Sequence, residues 1–481
     1  MAFNTYLFIM AFLPIFVIGY FLCNRASNGA GKIFIIFTGA VFYCYGGWNI
    51  AAILGISILL NMIFALIIEK TRNKKLFLVI SIVLNIALLL YFKYLNFAIV
   101  TINQVFHTML VEQQLFLPLG ISFFTFQQIM YLLAVYRKEI LHVNILDYFS
   151  YILFFPKLVM GPLMEAGDFI DQLNDPGQKK LDWGNLSAGL KIFSLGLFKK
   201  MVIADTFSAA VNWGFNNISS AGSVDFLLVM LFYTFEIYFD FSGYTDMAVG
   251  ISSMVNITLP INFDSPYKAL SIRDFWKRWH ISLTSFFTKN VYFPLGGSRK
   301  GSARTYLNIM IVFLVSGLWH GANWTFILWG LIHGMLQVLE RIFRKFYDQV
   351  PRIIRWVYTF LSVNLLWLLF RSESITQWWS LLKKMFSFDQ LSVSDGLIAS
   401  FTLPESPMIF DLLRLTQVNA RFPMLGMLSF VVAAFIICLI PENNYHSLKK
   451  TNIPNMVFCA FAFLWAFLCL STESVFVYNG F

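Results

Sequence analysis

The sequence predicts an all-α polytopic integral membrane protein, a bundle of about 11–13 membrane helices with further interfacial helices. Three observations lead there. Of 481 residues, 58% are apolar, 18% aromatic and only 12% charged, a balance foreign to soluble domains of this size. Separate apolar runs recur along the chain, each long enough to cross a hydrocarbon layer about 30 Å thick. The net charge of +10 collects in short segments between those runs, the pattern of cytoplasmic loops rather than of a nucleic-acid surface. No repeat, low-complexity tract or linker divides the chain, so 1–481 reads as one membrane domain.

In order, the candidate spans are 5–23, 33–48, 50–68, 76–92, 148–163, 224–239, 305–320, 324–340, 354–370, 424–440 and 454–470. Residues 94–136 hold one or two more, or a re-entrant piece. MAFNTYLFIMAFLPIF has no basic residue ahead of its apolar run, so the first segment reads as a retained span rather than a signal peptide. Lys70, Arg72, Lys74 and Lys75 place the loop at 70–75 in the cytoplasm, and counting back three spans puts the N-terminus outside. The segment 268–304, with Lys268, Arg273, Lys277, Arg278, Lys289, Arg299, Lys300 and Arg304, falls on the same side, as does the basic cluster at 341–355. The charge-balanced segment 371–423 contains an amphipathic stretch at 378–388 and a turn at Pro404 and Pro407, and reads as an outer cap. The chain returns past Lys449 and Lys450, and its last crossing leaves an extracytoplasmic tail at 471–481, STESVFVYNGF. Segment 165–200 mixes Glu165, Asp168, Asp171 and Asp175 with Lys179 and Lys180 before an apolar run ending in FKK, and looks interfacial. Cys23, Cys44, Cys438, Cys459 and Cys469 have neither metal-ligand nor disulfide-framework spacing and read as small hydrophobes.

Imidazole within a bilayer is costly, so an intramembrane histidine is a functional hypothesis by default. His320 lies 16 residues beyond Arg304, about 24 Å along a straight helix and so near or past the midplane. A neutral ring there can accept a proton. Gly317 and Gly321 flank it, leaving room for a ligand or a close helix crossing. The bland alternative is a histidine hydrogen-bonded to a neighbouring helix. His280 follows Trp276 and Trp279 in a basic, aromatic segment, where it is either a second reactive imidazole or simply an interfacial residue. His333 also lies in an apolar run, but no HxxxH spacing and no nearby cysteine or carboxylate support a zinc site, so no metal is expected. His107, His142 and His446 sit in polar settings. Asp240 and Asp246, with Glu236, need partners if buried; they pair with lysine or arginine, or line a polar tunnel, and the structural role is favoured. In the tail, Phe476, Tyr478 and Phe481 read as interfacial anchors. A sharper alternative exists, because a phenol, with a pKa of about 10, is far easier for a histidine base to activate than an aliphatic alcohol. From Ser471 to Tyr478 the extended chain spans about 26 Å, enough to fold back into a cavity.

Seven segments together resemble the membrane-bound O-acyltransferase (MBOAT) family, in its bacterial alginate O-acetyltransferase branch: LPLGISFFTFQ at 117–127, FFPKLVMGP at 154–162, GLFKKMVIAD at 196–205, DFSGYTDMA at 240–248, FWKRWHISL at 275–283, YFPLGGSRKG at 292–301 and SGLWHGANWTFILWG at 316–330. The resemblance implies a multi-helix fold around a central tunnel, with His320 catalytic and His280 the second histidine that matters. It also implies that Phe476, Tyr478 and Phe481 match an F-x-Y-x-x-F tail motif found in partner or fused C-termini.

The resulting expectation is a transmembrane O-acyltransferase of the bacterial cytoplasmic membrane. Acetyl-CoA is the expected donor, with an acyl carrier protein thioester as alternative, and Arg273, Lys277, Arg278, Arg299 and Lys300 are candidates for meeting its phosphates. His320 acts as base with His280 assisting, Tyr478 carries the acyl group, and an extracytoplasmic SGNH-type esterase-like partner passes it to a cell-envelope polysaccharide. The chain has no G-x-S-x-G elbow to do that last step itself. Rival readings are D-alanyl transfer from a carrier protein, a proton-coupled transporter or flippase, and a non-catalytic membrane scaffold.

Overall fold

The computed structural model describes residues 1–403, 411, 422, 424–441, 443, 445, 452–470 and 476. The turn at Pro404 and Pro407, His446, Lys449, Lys450, Tyr478 and Phe481 lie outside the described residues. Among those described there is no β-strand, only an isolated antiparallel bridge between Phe263 and Trp279.

Five described helices are long and apolar enough to cross a membrane: Phe8–Ala26, Trp48–Lys70, Lys74–Phe106, Ser302–His320 and Arg352–Arg371. Shorter apolar helices, Asn28–Cys44, Ile121–Tyr136, Leu425–Leu439 and Ile453–Leu468, fill out the bundle. Their outward faces are apolar and bare, as at Ile63, Val83, Phe461 and Leu464. Polar side chains instead face inward. Asn61 and Asn85 exchange amide hydrogen bonds of 3.1 and 2.6 Å, and Gln128 accepts from Ser57 and Asn61 at 2.8 and 3.0 Å. This knot ties Trp48–Lys70, Lys74–Phe106 and Ile121–Tyr136 together where lipid offers no hydrophobic drive between helices.

Residues 94–136 therefore supply the far end of one long helix and one further helix. At the ends of these helices Arg72, Lys74, Lys75, Arg137 and Lys138 gather around one surface groove. Arg137 also donates to Asn290 at 2.9 Å, and Lys289 pairs with Glu139 and Glu165 at 3.3 and 3.2 Å. The basic loop at 70–75 and part of the 268–304 segment thus share one side of the molecule.

Two expectations need correction. The stretch 148–163 is not a continuous span: Ile145–Leu153 stops at Phe154, Phe155–Leu158 makes one turn, and irregular backbone follows. Pro156 and Gly161 sit in this break, and Lys157 fills it, donating to Gln127 Oε1 at 2.8 Å and to the Tyr151 carbonyl. Nor is 165–200 wholly interfacial. Trp183–Phe198 continues through a π-helical turn, Lys199–Ala204, into Asp205–Asn216 and lies along the 32-residue helix Ser223–Met254. A Cβ on Gly189 or Gly196 would come within 2.6 Å of the carbonyl of Gly250 or Gly243, so these helices touch backbone to backbone. Of the FKK lysines, Lys200 is buried and Lys199 largely covered. Lys199 pairs with Asp246 at 2.6 Å, and Lys200 with Asp240 at 2.7 Å and Asp205 at 2.8 Å. Asp240 and Asp246 are thereby the structural ion-pair partners favoured from sequence, Asp246 also accepting from the Tyr445 hydroxyl at 2.6 Å.

Ile375–Met385 is an amphipathic helix carrying Trp378 and Trp379, followed by the short helix Asp395–Ala399. Cys438 and Cys459 are buried, and among the described residues no disulfide joins any of the five cysteines.

Candidate active site around His320

His320 is the last residue of Ser302–His320, and the chain turns through 321–323 into Trp324–Ile342. The run SGLWHGANW is thus a helix, a turn and a helix, with the histidine at the break rather than within a continuous span. Non-helical backbone at such depth is tolerated where it lines a cavity or is buried in protein. The two helices cross at glycines. A Cβ on Gly317 would lie 2.4 Å from the Phe326 carbonyl, and one on Gly330 would lie 2.3 Å from the Phe313 carbonyl. Of the two uses foreseen for these glycines, Gly317 serves the close crossing.

The His320 ring is 3% exposed and packed edge-on against Trp319, Trp329 and Phe370, with centroids at 4.8, 5.0 and 5.3 Å. Beside it opens a cavity of about 80 Å³, bounded by Lys93, Ser122, Phe123, Met160, Trp319 and His320 among others. The space is large enough to admit small groups such as water or a short acyl chain. The conformation of its wall depends on Gly120, at φ +71°, where a Cβ would meet Val159 Cα at 2.9 Å. LPLGISFF and FFPKLVMGP, far apart in sequence, meet there.

His280 is not interfacial. It is 1% exposed and sits at φ +46°, ψ +53°, between Ile272–Arg278 and Ile281–Phe287. Hydrogen bonds hold the turn on both sides, Asp264 N to Arg278 O at 2.9 Å and Ile281 N to Asn262 O at 3.0 Å. The left-handed conformation costs a non-glycine residue about 1–2 kcal/mol, and such strain in a buried residue points to a functional constraint. Its ring stands T-shaped to Phe241 at 4.8 Å and to Trp319 at 6.0 Å. Neither ring nitrogen has a hydrogen-bond partner among the described residues. His280 and His320 therefore approach the same indole, that of Trp319.

His333 plays a different part, accepting at Nδ1 from the indole of Trp276 at 3.2 Å. Trp329 stands between it and His320, 4.8 and 5.0 Å from the two rings. Among the described residues, no three His, Cys, Asp or Glu side chains gather as metal ligands would.

The donor-side basic candidates do not line this cavity. Arg273, Lys277, Arg299 and Lys300 are exposed, and Arg278 is half-buried and paired with Asp274 at 3.0 Å. One cation that sequence reasoning missed does line it. Lys93 comes from a π-helical turn, Leu90–Tyr94, and donates to the carbonyls of Trp319 at 2.8 Å and His320 at 2.9 Å. The available signal was a lysine inside an otherwise apolar run, YFKYLNF, which membrane burial makes expensive.

Of the tail, Phe476 is described. It is 3% exposed, T-shaped to Tyr244 at 5.1 Å, with Lys200 Nζ 4.6 Å from its ring centroid. It is an anchor, but one held by the protein interior rather than by the membrane interface.

A model of the membrane-bound O-acyltransferase family matches residues 53–375, which include every element of the His320 cavity. The chain belongs to that family. It is accordingly a multi-pass membrane acyltransferase. Its relatives include the peptidoglycan O-acetyltransferase of Helicobacter pylori, 35% identical over 100% of this chain and 97% of the relative. A probable alginate O-acetylase of Pseudomonas aeruginosa is 34% identical over 84% of this chain and 78% of its own length. More distantly, the teichoic acid D-alanyltransferase of Bacillus subtilis is 30% identical over 47% of this chain and 60% of the relative.

Proposed function

We propose that this protein is a transmembrane O-acetyl relay of the bacterial cytoplasmic membrane, with both termini outside. It takes an acetyl group from acetyl-CoA on the cytoplasmic side, parks it on Tyr478, and delivers it through an extracytoplasmic SGNH-type partner to a cell-envelope polysaccharide. The observation that carries this reading is the buried His320 on the wall of a cavity of about 80 Å³, which gives a small acyl group room beside the ring. His320 serves as general base for the hydroxyl that attacks the thioester, and His280, whose ring also approaches Trp319, orients or assists. The exposed Arg273, Lys277, Arg299 and Lys300, with the half-buried Arg278, would meet the phosphates of the donor.

The tail supports the same route. Phe476 packs on Tyr244, and one helical turn earlier Phe241 packs on His280. Tyr478 is two residues beyond Phe476, a reach of about 7 Å. The relative that transfers D-alanine keeps aminoacyl transfer from a carrier protein as the second reading.

The test is the intact mass of the C-terminal peptide from protein incubated with labelled acetyl-CoA, for wild type, His320→Ala and Tyr478→Phe. Label on Tyr478 that both substitutions abolish supports the relay. Label that reaches the partner while Tyr478 stays unmodified makes the tail an anchor and the transfer direct. Transfer from a charged aminoacyl carrier protein, with none from acetyl-CoA, selects the second reading.

A further inference from the structure

The scheme above leaves Lys93 without a task. Its side chain lies between two neighbourhoods: the carbonyls that end the Ser302–His320 helix and the cavity beside His320. An ammonium group has three donors. Two go to the carbonyls of Trp319 and His320, at 2.8 and 2.9 Å, and the nearest further acceptor is Ser122 Oγ on the cavity wall, at 3.5 Å. That last distance is at the limit of a hydrogen bond, so one donor is only loosely committed.

Capping helix carbonyls is a known use of lysine and compensates the negative end of the helix. It does not explain the choice here. Placing a lysine within the apolar interior is costly, and neutral donors also satisfy carbonyls. Elsewhere in this interior the cost is offset by carboxylates, as in Lys32–Asp147, Lys199–Asp246 and Lys200–Asp240. Among the described residues no carboxylate forms an ion pair with Lys93. Lys157 shares that property, but it fills a helix break and does not line the cavity. Lys93 alone of the two faces a space beside a histidine, and it does so from a π-helical turn, a local distortion that frequently marks functional sites.

We propose that Lys93 is the catalytic electrophile of this site, donating the loosely held N–H to the acyl carbonyl oxygen as negative charge builds on it. The proposal rests on the reading of His320 as base. The acceptor hydroxyl oxygen attacks the thioester carbonyl carbon while His320 takes the hydroxyl proton. The carbonyl electron pair moves onto oxygen, and that anion is held by Lys93. When the C=O bond re-forms, the C–S bond breaks, and the departing thiolate takes the proton from the imidazolium. Thioester and alcohol become ester and thiol with no other reactant. Because the other two donors hold the backbone of His320 itself, the base and the anion-holding group are fixed relative to each other before substrate arrives.

The experiment compares wild type, Lys93→Met, Lys93→Arg and His320→Ala, each full-length in nanodiscs, by thiol release from acetyl-CoA and by thermal melting. Alkali-labile acyl content of the cell envelope is measured in strains carrying each variant as sole copy. Removing one such donor typically lowers kcat by about 10²–10³-fold, and that loss is expected for Lys93→Met with KM changed by less than about twofold. Arg, which keeps the cation, is expected to recover about tenfold or more, and envelope acyl content should follow the same order. Unchanged kcat in Lys93→Met overturns the proposal. So does a lowered melting temperature with no rescue by Arg, which makes Lys93 a helix cap. If Lys93→Met is slow but His320→Ala is not, the assignment of the base fails while that of Lys93 stands. Should acetyl-CoA not be turned over by wild type, the envelope comparison decides by the same order.

Discussion

His280 at φ +46° and His320 at a helix terminus illustrate how much local backbone is given over to aiming two rings at one indole. Replacing His320 with Ala should lower acyl transfer by about 10²–10⁴-fold, the range for a lost general base, with insertion and melting temperature little changed. Initial rates beside a melting curve check this. For His280 the informative substitution is Asn, which tolerates the left-handed region. His280→Asn is expected to melt near wild type yet transfer acyl groups at least about tenfold more slowly; an active His280→Asn would mean that packing alone requires the position. The choice of His320 as a candidate was suggested by one expensive residue type in an apolar run, a signal any single sequence carries. The burial of His280 was not, because a Trp-rich basic segment fits a membrane interface as well as an interior, and only the bonds from 262–264 decide between them.

Two helix crossings set the geometry of the elements. Gly317 faces the Phe326 carbonyl, so Gly317→Leu must push Ser302–His320 away from Trp324–Ile342. Overpacking of this kind costs about 1–3 kcal/mol, and both the melting temperature and the acyl-transfer rate should fall, since the displaced helix carries His320. The second crossing pairs the largely covered Lys199 and the buried Lys200 with the buried Asp246 and Asp240. Breaking a buried pair by removing one partner costs about 3–5 kcal/mol, so Asp246→Leu should be strongly destabilised, and the double variant Lys199→Met, Asp246→Leu should recover much of the loss. Thermal melts of the three proteins test it. Spans such as 305–320 and 354–370 were legible because length and apolarity suffice for a straight helix. The break within 148–163 was not: its apolar run is long enough to span, and Pro156 is also compatible with a kinked helix.

For the whole molecule, the groove formed by Arg72, Lys74, Lys75, Arg137 and Lys138 and the loop at 107–118 lie at opposite ends of Ile121–Tyr136, a separation of about 24 Å. In a cysteine-free background, Arg72→Cys and Gln114→Cys should react with an impermeant thiol reagent from opposite sides of sealed vesicles. Equal labelling from one side would refute a crossing between them. Gln114→Cys should be the one reached from outside intact cells, if basic loops face the cytoplasm.

The sequence by itself determined the membrane class, most of the helices, the family and the histidine at the cavity, because hydropathy and ordered motifs are local properties. It also indicated that Asp240 and Asp246 would need partners if buried, with lysine or arginine favoured over a polar tunnel. Tertiary structure alone decided which cations those are, that FKK is interior, and that Lys93 reaches a carbonyl 227 residues away. Each of these depends on which apolar surfaces pack together. In a chain this rich in interchangeable apolar helices, the partners are selected by glycine contacts and buried polar pairs that become visible only when distant segments meet.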